Sequence, residues 1–459
     1  MDPRSPLAPP LAPPLLAPTG RRRSSARRSR GALLLGALVA LFAIGCGDDD
    51  DAAPGGSRGD PTPTSATDDP SDPDPHETEA SPNGRLAPGE TGGPASFVAP
   101  TAPPGGCAFS EASAAWQRPG WVDIAATDRG FLIGGTADHG AYEMAFLATV
   151  GSGGGASVMT QTRLEAPVPD THRRAPPALE VAGEHAALSL VDGQGRLLIA
   201  RFDPLDSGAL RFYEVAPGAS LRFSPALARV RGAWWVAWTE ERGEHGRRLF
   251  ALRVPDEGDV GDPIDLTPSA GGGAAPAFIQ GAEPPSLVFL DAREGTSVAH
   301  RATVEGNAFS EVSVARPVGM VTDPPMIAAF RVAQSDFLVY TGIGTAATTA
   351  VGLMPLAGTD SPTPIVPGTG YGVVYLDAAP LPEGGAIVVA DAPIGNTPTS
   401  PREMHVRRFG ATGGLSEPAV LHGPSESTTH ARVAVRRDVI AVTFRSDVGV
   451  HAAVGRCAE

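Results

Sequence analysis

The fold of this chain is decided by residues 224–254, whose sequence is SPALARVRGAWWVAWTEERGEHGRRLFALRV. The stretch holds three apolar runs, at residues 224–228, 234–238 and 249–254, with Gly, Glu and Arg between them. Short runs of this kind, rich in Trp, Val and Phe and bounded by turn residues, are typical of β-strands and too short for helices. The stretch therefore predicts three antiparallel strands joined by two turns.

The same pattern recurs along the chain. A proline opens an apolar run at Pro177, Pro225, Pro276 and Pro325, which are 48, 51 and 49 residues apart. Four short strands at such a period, with Gly, Asp and Pro turns and no helical stripe, are typical of a β-propeller. The repeats begin near residues 119, 175, 223, 274, 324, 370 and 429. We therefore predict an all-β β-propeller of seven four-stranded blades, with six as the alternative because the repeats at 119 and 370 are stretched.

The two ends of the repeat region predict how the ring closes. The last repeat has three strands, within residues 432–455, and lacks a fourth. Residues 107–113 (CAFSEAS) match residues 307–313 (NAFSEVS), which supply the fourth strand of an internal repeat. We therefore predict that the N-terminal strand completes the final blade and closes the ring. One internal repeat, residues 287–303, resembles the Trp-x-Asp-x-Arg-x-Gly repeats of some bacterial extracellular propellers.

The N-terminus carries an export signal. Residues 21–30 are basic, residues 32–44 are apolar but too few to span a bilayer, and small residues precede Cys46. This pattern resembles the signal of bacterial lipoprotein precursors. The resemblance implies a signal peptide at residues 1–45, lipidation of Cys46 and a place in the bacterial cell envelope, on either face of the outer membrane. A plain signal peptide or an uncleaved anchor is the alternative.

An acidic linker follows Cys46. Residues 47–106 hold twelve acidic residues against two Arg and almost no apolar ones. Such a segment cannot bury a core, so residues 46–106 are predicted to be a disordered tether and residues 107–459 the propeller domain. The whole chain has a net charge of −15. Because an acidic domain on an acidic tether repels nucleic acid, we expect no nucleic-acid partner and a membrane contact made through the lipid.

The cysteines allow one disulfide. The chain has three, which are Cys46, Cys107 and Cys457. Once the lipoprotein resemblance assigns Cys46 to the lipid, the other two remain in an oxidising export compartment. They also lie at the two ends that ring closure brings together. We therefore predict a disulfide between Cys107 and Cys457, with two free thiols as the alternative.

Several classes of enzyme are excluded by what the sequence lacks. The chain contains no lysine and no His-Glu-x-x-His, and its Gly-x-Ser-x-Gly match at residues 55–59 lies in the acidic segment that follows Cys46. Walker P-loop enzymes, protein kinases, pyridoxal enzymes and Ser-Lys hydrolases need the lysine, and many metalloproteases need the His-Glu-x-x-His motif. The nucleophile of a serine hydrolase needs this serine motif on a turn between a strand and a helix, which a segment without a core cannot form. The acidic loop at residues 256–262 has ligands suited to Ca²⁺, but an ordinary turn is favoured because turn residues recur there in other repeats. We predict no catalytic residue, no cofactor and no metal site.

The residues most suited to ligand binding lie in loops that lead into the innermost strands, at one mouth of the central channel. These loops carry His172, Arg173, Arg174, Arg222, Asp323 and His430. Arg and His side chains at such a mouth would bind an anionic or sugar ligand through hydrogen bonds. Scattered, solvated loop residues are the alternative. The aromatic run at residues 234–238 is instead predicted to pack between blades.

Together these features predict a lipid-anchored cell-envelope protein whose propeller has a non-catalytic role, in binding a protein or glycan partner or in scaffolding a complex. A propeller hydrolase or lyase acting on polysaccharide is the alternative. The channel distinguishes them. Converging carboxylates, or Arg with His, favour the enzyme, whereas a mouth of small and apolar residues favours the binding module.

Overall fold

The structure, a computed structural model, describes residues 106–118, 120–138, 142–151, 154–164, 175–206, 208–242, 246–268, 272–293, 296–343, 349–370, 374–393, 401–421 and 429–458. The regular elements in these ranges are β-strands, so the all-β prediction is confirmed. Within the same ranges, no helix is long and apolar enough to cross a membrane. The predicted signal peptide, Cys46 and residues 47–105 lie outside the described residues.

Strand pairing groups the strands into units that follow one another along the chain. The first two strands are β1 (Cys107–Phe109) and β2 (Ser113–Trp116). Unit 1 contains β3 (Gly120–Thr127), β4 (Gly130–Asp138), β5 (Glu143–Val150) and β6 (Ala156–Leu164). Unit 2 contains β7 (Ala178–Ala182), β8 (His185–Val191), β9 (Leu197–Phe202) and β10 (Phe212–Ala216). Unit 3 contains β11 (Ala226–Val230), β12 (Ala233–Glu241), β13 (Arg247–Pro255) and β14 (Ile264–Asp265).

The second half of the domain continues in the same way. Unit 4 contains β15 (Ala274–Gln280), β16 (Ser286–Arg293), β17 (Thr296–Glu305), β18 (Ala308–Phe309) and β19 (Ser313–Gly319). Unit 5 contains β20 (Ile327–Val332), β21 (Ser335–Ile343), β22 (Thr349–Pro355) and β23 (Thr363–Gly370). Unit 6 contains β24 (Leu376–Pro380), β25 (Ala386–Pro393), β26 (Arg402–Phe409) and β27 (Ala419–Leu421). Unit 7 contains β28 (Thr429–Arg436), β29 (Val439–Arg445) and β30 (Val450–Cys457).

Tight hairpins connect the two innermost strands of most units. In unit 3 the last pair is Val230 with Ala233, so the turn consists of Arg231 and Gly232 alone. Both residues have positive φ, 47° and 76°. This is the turn whose twist matches that of paired strands, and it fixes which side chains face each neighbouring unit.

Units 4 and 5 belong to one nine-stranded sheet. Their innermost strands, β15 and β20, pair in parallel at Ile279 with Ala329 and at Gln280 with Phe330. The other units form separate sheets in which neighbours in the chain are antiparallel neighbours in space. Because one sheet contains two units, the predicted count of seven separate blades stays a prediction.

The hydrophobic core lies between successive units. Trp234, Val236 and Trp238 of β12 pack against unit 2, whereas Trp235 packs on the ring of Phe309 in unit 4, with ring centroids 4.9 Å apart. The three Trp side chains are fully buried. The prediction that this aromatic run packs between neighbouring repeats is therefore confirmed. Similar clusters lie between the other neighbours, and one of them joins unit 7 to unit 1.

The N-terminal strands join unit 7. Both β1 and β2 pair with β30, and Cys107 lies opposite Cys457 in the register. These two cysteines form a disulfide, so that prediction is confirmed. The pairing is the one that the predicted closing strand requires.

A shared serine explains why the match between residues 107–113 and 307–313 predicts this pairing. Ser110 donates its N–H to the carbonyl of Val454 at 2.8 Å and accepts the N–H of Val454 on Oγ at 3.2 Å. Ser310 makes the same two bonds with Thr303, and Ser416 makes them with Arg408. The serine thus pins the outermost segment of a unit onto its third strand.

Candidate functional site

One cavity, called the channel from here on, is lined by the innermost strands of all seven units, β3, β7, β11, β15, β20, β24 and β28. Its volume is about 1360 Å³. Pockets that hold small molecules are typically about 300–1,000 Å³, so the channel has room for a ligand of several linked residues.

Small side chains keep the channel open. In five units the two innermost strands are joined by a two-residue turn, and the first of these strands can be aligned on its last paired residue. The residue four positions before that one is Ala178 in unit 2, Ala226 in unit 3 and Ala328 in unit 5. The same position holds Asp123 in unit 1 and Arg432 in unit 7. Two residues of opposite charge therefore occupy a place that is small in the other three hairpins, and the alanines leave room for the long side chain of Arg432.

Arg432 contacts three other units. Its Nη1 donates to the carbonyl of Leu376 in unit 6 at 3.1 Å, and its Nη2 donates to Oγ of Ser224, just before β11, at 3.4 Å. Its Nε lies 3.8 Å from Oδ1 of Asp123, which is too long for a hydrogen bond. The side chain is 9% exposed, and Nε–H has no hydrogen-bond partner among the described residues. The guanidinium group thus links unit 7 to units 1, 3 and 6 and keeps Nε–H available to a ligand.

Two aspartates tie neighbouring innermost strands together. Asp123 accepts the N–H of Ile124 at 2.9 Å and that of Leu179, in the next unit, at 2.8 Å. Asp377 accepts the N–H of Val433, also in the next unit, at 3.0 Å. Burial raises the pKa of Asp123, opposed by Arg432. Burial also raises the pKa of Asp377 to about 6, opposed by Arg432 and reinforced by Asp123.

Glu180 is the third carboxyl group of the channel. Its side chain lies on β7 and has no hydrogen-bond partner in the described part of the chain. Burial raises the pKa of Glu180 to about 8, and the negative charge of Asp123 raises it further in the same direction. At neutral pH the group is therefore mostly a neutral carboxylic acid, which can both donate and accept a hydrogen bond.

Arg222 and Asp323, two of the predicted ligand-binding residues, lie together. Arg222 Nη2 is 3.1 Å from Asp323 Oδ1, and Arg222 Nη1 is 3.1 Å from Glu241. Arg247 completes the cluster by pairing with both acids. The positive charges of this mouth are thus already matched by two carboxylates.

His430, a third predicted residue, lies in the core. It is 4% exposed and stacks on Tyr375 with ring centroids 3.6 Å apart, while its Nδ1 lies 2.7 Å from Thr429 Oγ1. Burial, together with Arg445, Arg432 and Arg402, holds the pKa of His430 well below its usual value. The imidazole is therefore a neutral packing group between units 6 and 7. The predicted residues His172, Arg173 and Arg174 lie outside the described residues.

Sequence reasoning missed the charged residues of the innermost strands themselves. Asp123, Glu180, Asp377 and Arg432 each interrupt a short apolar strand. A charge at a place where most repeats have Ala or another apolar residue is the signal that would have found them. Both features expected to distinguish the two functions occur, since small and apolar residues line much of the channel and its lining also contains four acidic residues and four arginines.

No protein-family model and no curated protein matches this chain. Among solved structures it is similar to BP39L lectin from Burkholderia pseudomallei, with 15% identity over 74% of this chain and 96% of the lectin and a TM-score of 0.53. Two others are AofleA from Arthrobotrys oligospora (12% identity, 71% and 93% covered, TM-score 0.44) and the alpha-L-arabinofuranosidase PaAbf62A from Podospora anserina (13%, 51% and 90%, 0.32). At such identities the likeness bears on the fold alone, and the β-propeller prediction is confirmed.

Proposed function

We propose that this chain is a non-catalytic, glycan-binding propeller held at the bacterial cell envelope by a lipid on Cys46. The observation that carries the binding role is a channel of about 1360 Å³ with a free carboxyl group on Glu180 and a free Nε–H on Arg432. A hydroxyl group can satisfy both, because it donates and accepts hydrogen bonds. A glycan presents many hydroxyl groups, and BP39L, one of the solved proteins of similar fold, is named as a lectin.

The bonds of the two aspartates favour binding over catalysis. Asp123 and Asp377 hold backbone N–H groups of the following units, so their oxygen atoms already serve the packing of the innermost strands. A carboxylate that activates water or attacks a sugar must be free to change its partners during the reaction. Asp123 and Asp377 are instead fixed hydrogen-bond acceptors between units.

One observation favours a glycoside hydrolase as a second candidate. Glu180 and Asp123 lie in one channel, where burial raises the pKa of both and the charge of Asp123 raises that of Glu180 further. A pair of carboxyl groups supplies the usual acid and base or nucleophile of glycosidases.

A substitution in the lining of the channel tests the proposed binding site. Ala228 is a small, partly buried residue that lines the channel, and Ala357 is an exposed residue in a turn of unit 5. We expect Ala228→Tyr to weaken binding of a β-1,4-linked tetrasaccharide by at least about tenfold in calorimetry, since the added ring occupies ligand space. Ala357→Tyr is the matched control and should bind like the wild type. Equal binding by both variants would contradict a site in the channel.

Product analysis separates the two candidates. If the protein only binds, prolonged incubation with the tetrasaccharide releases no new reducing ends. Release of reducing ends that is lost in Glu180→Gln would establish the hydrolase instead.

The envelope location is supported by sequence alone. A basic segment, a short apolar run and small residues before Cys46 are the features of a lipoprotein signal, and the acidic segment after it suits a tether between lipid and propeller. Two or more acyl chains would anchor the protein stably.

A further inference from the structure

We propose that the channel selects glycans that carry a primary amine, and that it binds the ammonium group among the carboxyl groups of Asp123, Glu180 and Asp377. The inference rests on the proposed glycan-binding function and names the class of glycan. An amine-bearing sugar residue offers a cation and hydroxyl groups on the same ring.

The balance of charge in the channel is the first reason. Units 1, 2 and 6 place the carboxyl groups of Asp123, Glu180 and Asp377 in the channel lining, and Arg432 Nε lies 3.8 Å from Asp123. The charge of Arg432 lowers the pKa of Asp123 and of Asp377, whereas no cation lowers the pKa of Glu180. An ammonium group would supply the missing positive charge, and its three N–H donors suit carboxylate oxygens.

A free donor beside these acids is the second reason. Arg432 is nine-tenths buried and lines the channel, yet its Nε–H has no hydrogen-bond partner in the described part of the chain. A buried N–H without a partner is costly, so a ligand oxygen that accepts from it is favoured. A complementary ligand therefore has a hydrogen-bond acceptor for Arg432 Nε–H next to a cation for the carboxyl groups. A hydroxyl group beside an amine provides both.

The other charged groups of the channel do not supply the missing cation. On β11, Arg229 is paired with Asp256, and on β20, Arg331 is paired with Asp336. Arg231 lies in the turn after β11, and Glu283 lies in the loop after β15, so both are beyond the strand ends. Neither β15 nor β20 adds a further titratable group to the lining.

Proton release is the consequence that can be measured. The raised pKa of Glu180 means that the free channel holds a proton at neutral pH on a carboxyl group that lacks a counter-charge, and the pKa of Asp377, about 6, adds a partly protonated group at lower pH. An ammonium group favours their ionised forms, so its binding should expel protons. Affinity for an amine should therefore rise with pH between 5 and 7, by at most about tenfold per pH unit for each proton released.

The experiment compares three tetrasaccharides with the same β-1,4-linked backbone. They are the glucosamine tetramer, its N-acetylated form and cellotetraose, which differ only at the second carbon of each ring. Calorimetry at pH 7 in two buffers with different ionisation enthalpies gives both the affinity and the number of protons released. We expect the glucosamine tetramer to bind at least about tenfold more tightly than the other two, with net proton release.

Two variants test the role of the carboxyl groups. Glu180→Gln keeps the size of the side chain but removes its titration, so it should lose the preference for the amine and most of the proton release. Glu184→Gln, in the exposed turn that follows β7, is the matched control and should keep both. Circular dichroism verifies that both variants are folded.

The outcomes separate this inference from the proposed function. Equal binding of the glucosamine tetramer and cellotetraose would overturn the amine preference while leaving glycan binding intact. Binding of none of the three would overturn both. Wild-type selectivity in Glu180→Gln, or binding without proton release, would also overturn the assignment of the site.

Discussion

At the scale of the residue, the charged groups in the innermost strands are tolerated because each aspartate accepts a hydrogen bond from the next unit. Asp123 and Asp377 accept backbone N–H groups of Leu179 and Val433, and Arg432 bonds to backbone and side-chain oxygens of units 6 and 3. Buried charges without such partners would destabilise the domain. Glu180 lacks partners and is instead kept neutral by its raised pKa.

The raised pKa of Glu180 predicts how stability depends on pH. The folded protein holds the proton up to about pH 8, whereas the unfolded chain releases it near the ordinary value of 4.5. The contribution of this group to stability is therefore fully present below pH 4.5 and is lost as the pH rises towards 8. The midpoint of thermal unfolding should fall between pH 5 and 8 more in the wild type than in Glu180→Gln. Parallel pH profiles for the two proteins would contradict the assignment.

At the scale of the element, the pairing of β1 with β30 depends on a glycine that lets the two strands approach each other. A Cβ at Gly455 would collide with the carbonyl oxygen of Ala108 and the ring of Phe109. The hydrogen bonds of Ser110 with Val454 lie next to this contact. The pairing of the N-terminal segment thus depends on the close approach of the two backbones at Gly455 as well as on the apolar pattern.

Substitution of this glycine tests the contact. Gly455→Ala should push β1 away from β30 and increase hydrogen exchange at residues 107–110 by at least about tenfold, because exchange reports local opening. Gly261→Ala, at a position where a Cβ meets nothing within 4 Å, is the control and should leave exchange unchanged. Unchanged protection in Gly455→Ala would show that β1 is not held by this packing.

At the scale of the whole molecule, the core is distributed between units, and unit 7 packs on both unit 6 and unit 1. The disulfide between Cys107 and Cys457 links residues 350 positions apart. In the chain-entropy model a loop of this size stabilises the folded state by roughly 5 kcal/mol, as an upper figure. The disulfide and the apolar packing between units 7 and 1 therefore both hold the two ends of the domain together.

Removal of the disulfide should weaken the whole domain. We expect the double variant Cys107→Ser, Cys457→Ser to lose about 2–5 kcal/mol of unfolding free energy in urea titrations. Reduction of the wild-type protein should have the same effect, and reduction of the double variant should have none. A wild type as stable when reduced as when oxidised would contradict a stabilising link.

The proposed lipid anchor predicts where the protein fractionates. Expressed in bacteria, the wild type should remain with membranes and incorporate labelled fatty acid at Cys46. Cys46→Ala should lose the label and leave the membrane fraction, since the acidic tether and domain have no attraction for anionic lipid. Cys107→Ser keeps Cys46 and should keep the label. Labelling of Cys46→Ala would refute lipidation at this residue.

The sequence by itself determined the strands, their repeat and the pairing of the two cysteines. These follow from local patterns, because apolar alternation, turn residues and a recurring serine act through neighbours in the chain and through the third strand of the same unit. The burial of the Trp run at residues 234–238 followed in the same way.

Only the tertiary structure decided which side chains share the channel. Asp123, Glu180, Asp377 and Arg432 come from four units that are far apart in sequence, and only a comparison with the apolar residues at the same place in other repeats distinguishes them from charges that face solvent. The same limit explains why Arg222, Asp323 and His430 were expected at an open mouth, although the first two pair with each other and the third is buried. Local pattern sets the strands, whereas the packing of all units together sets the charges that a ligand would meet.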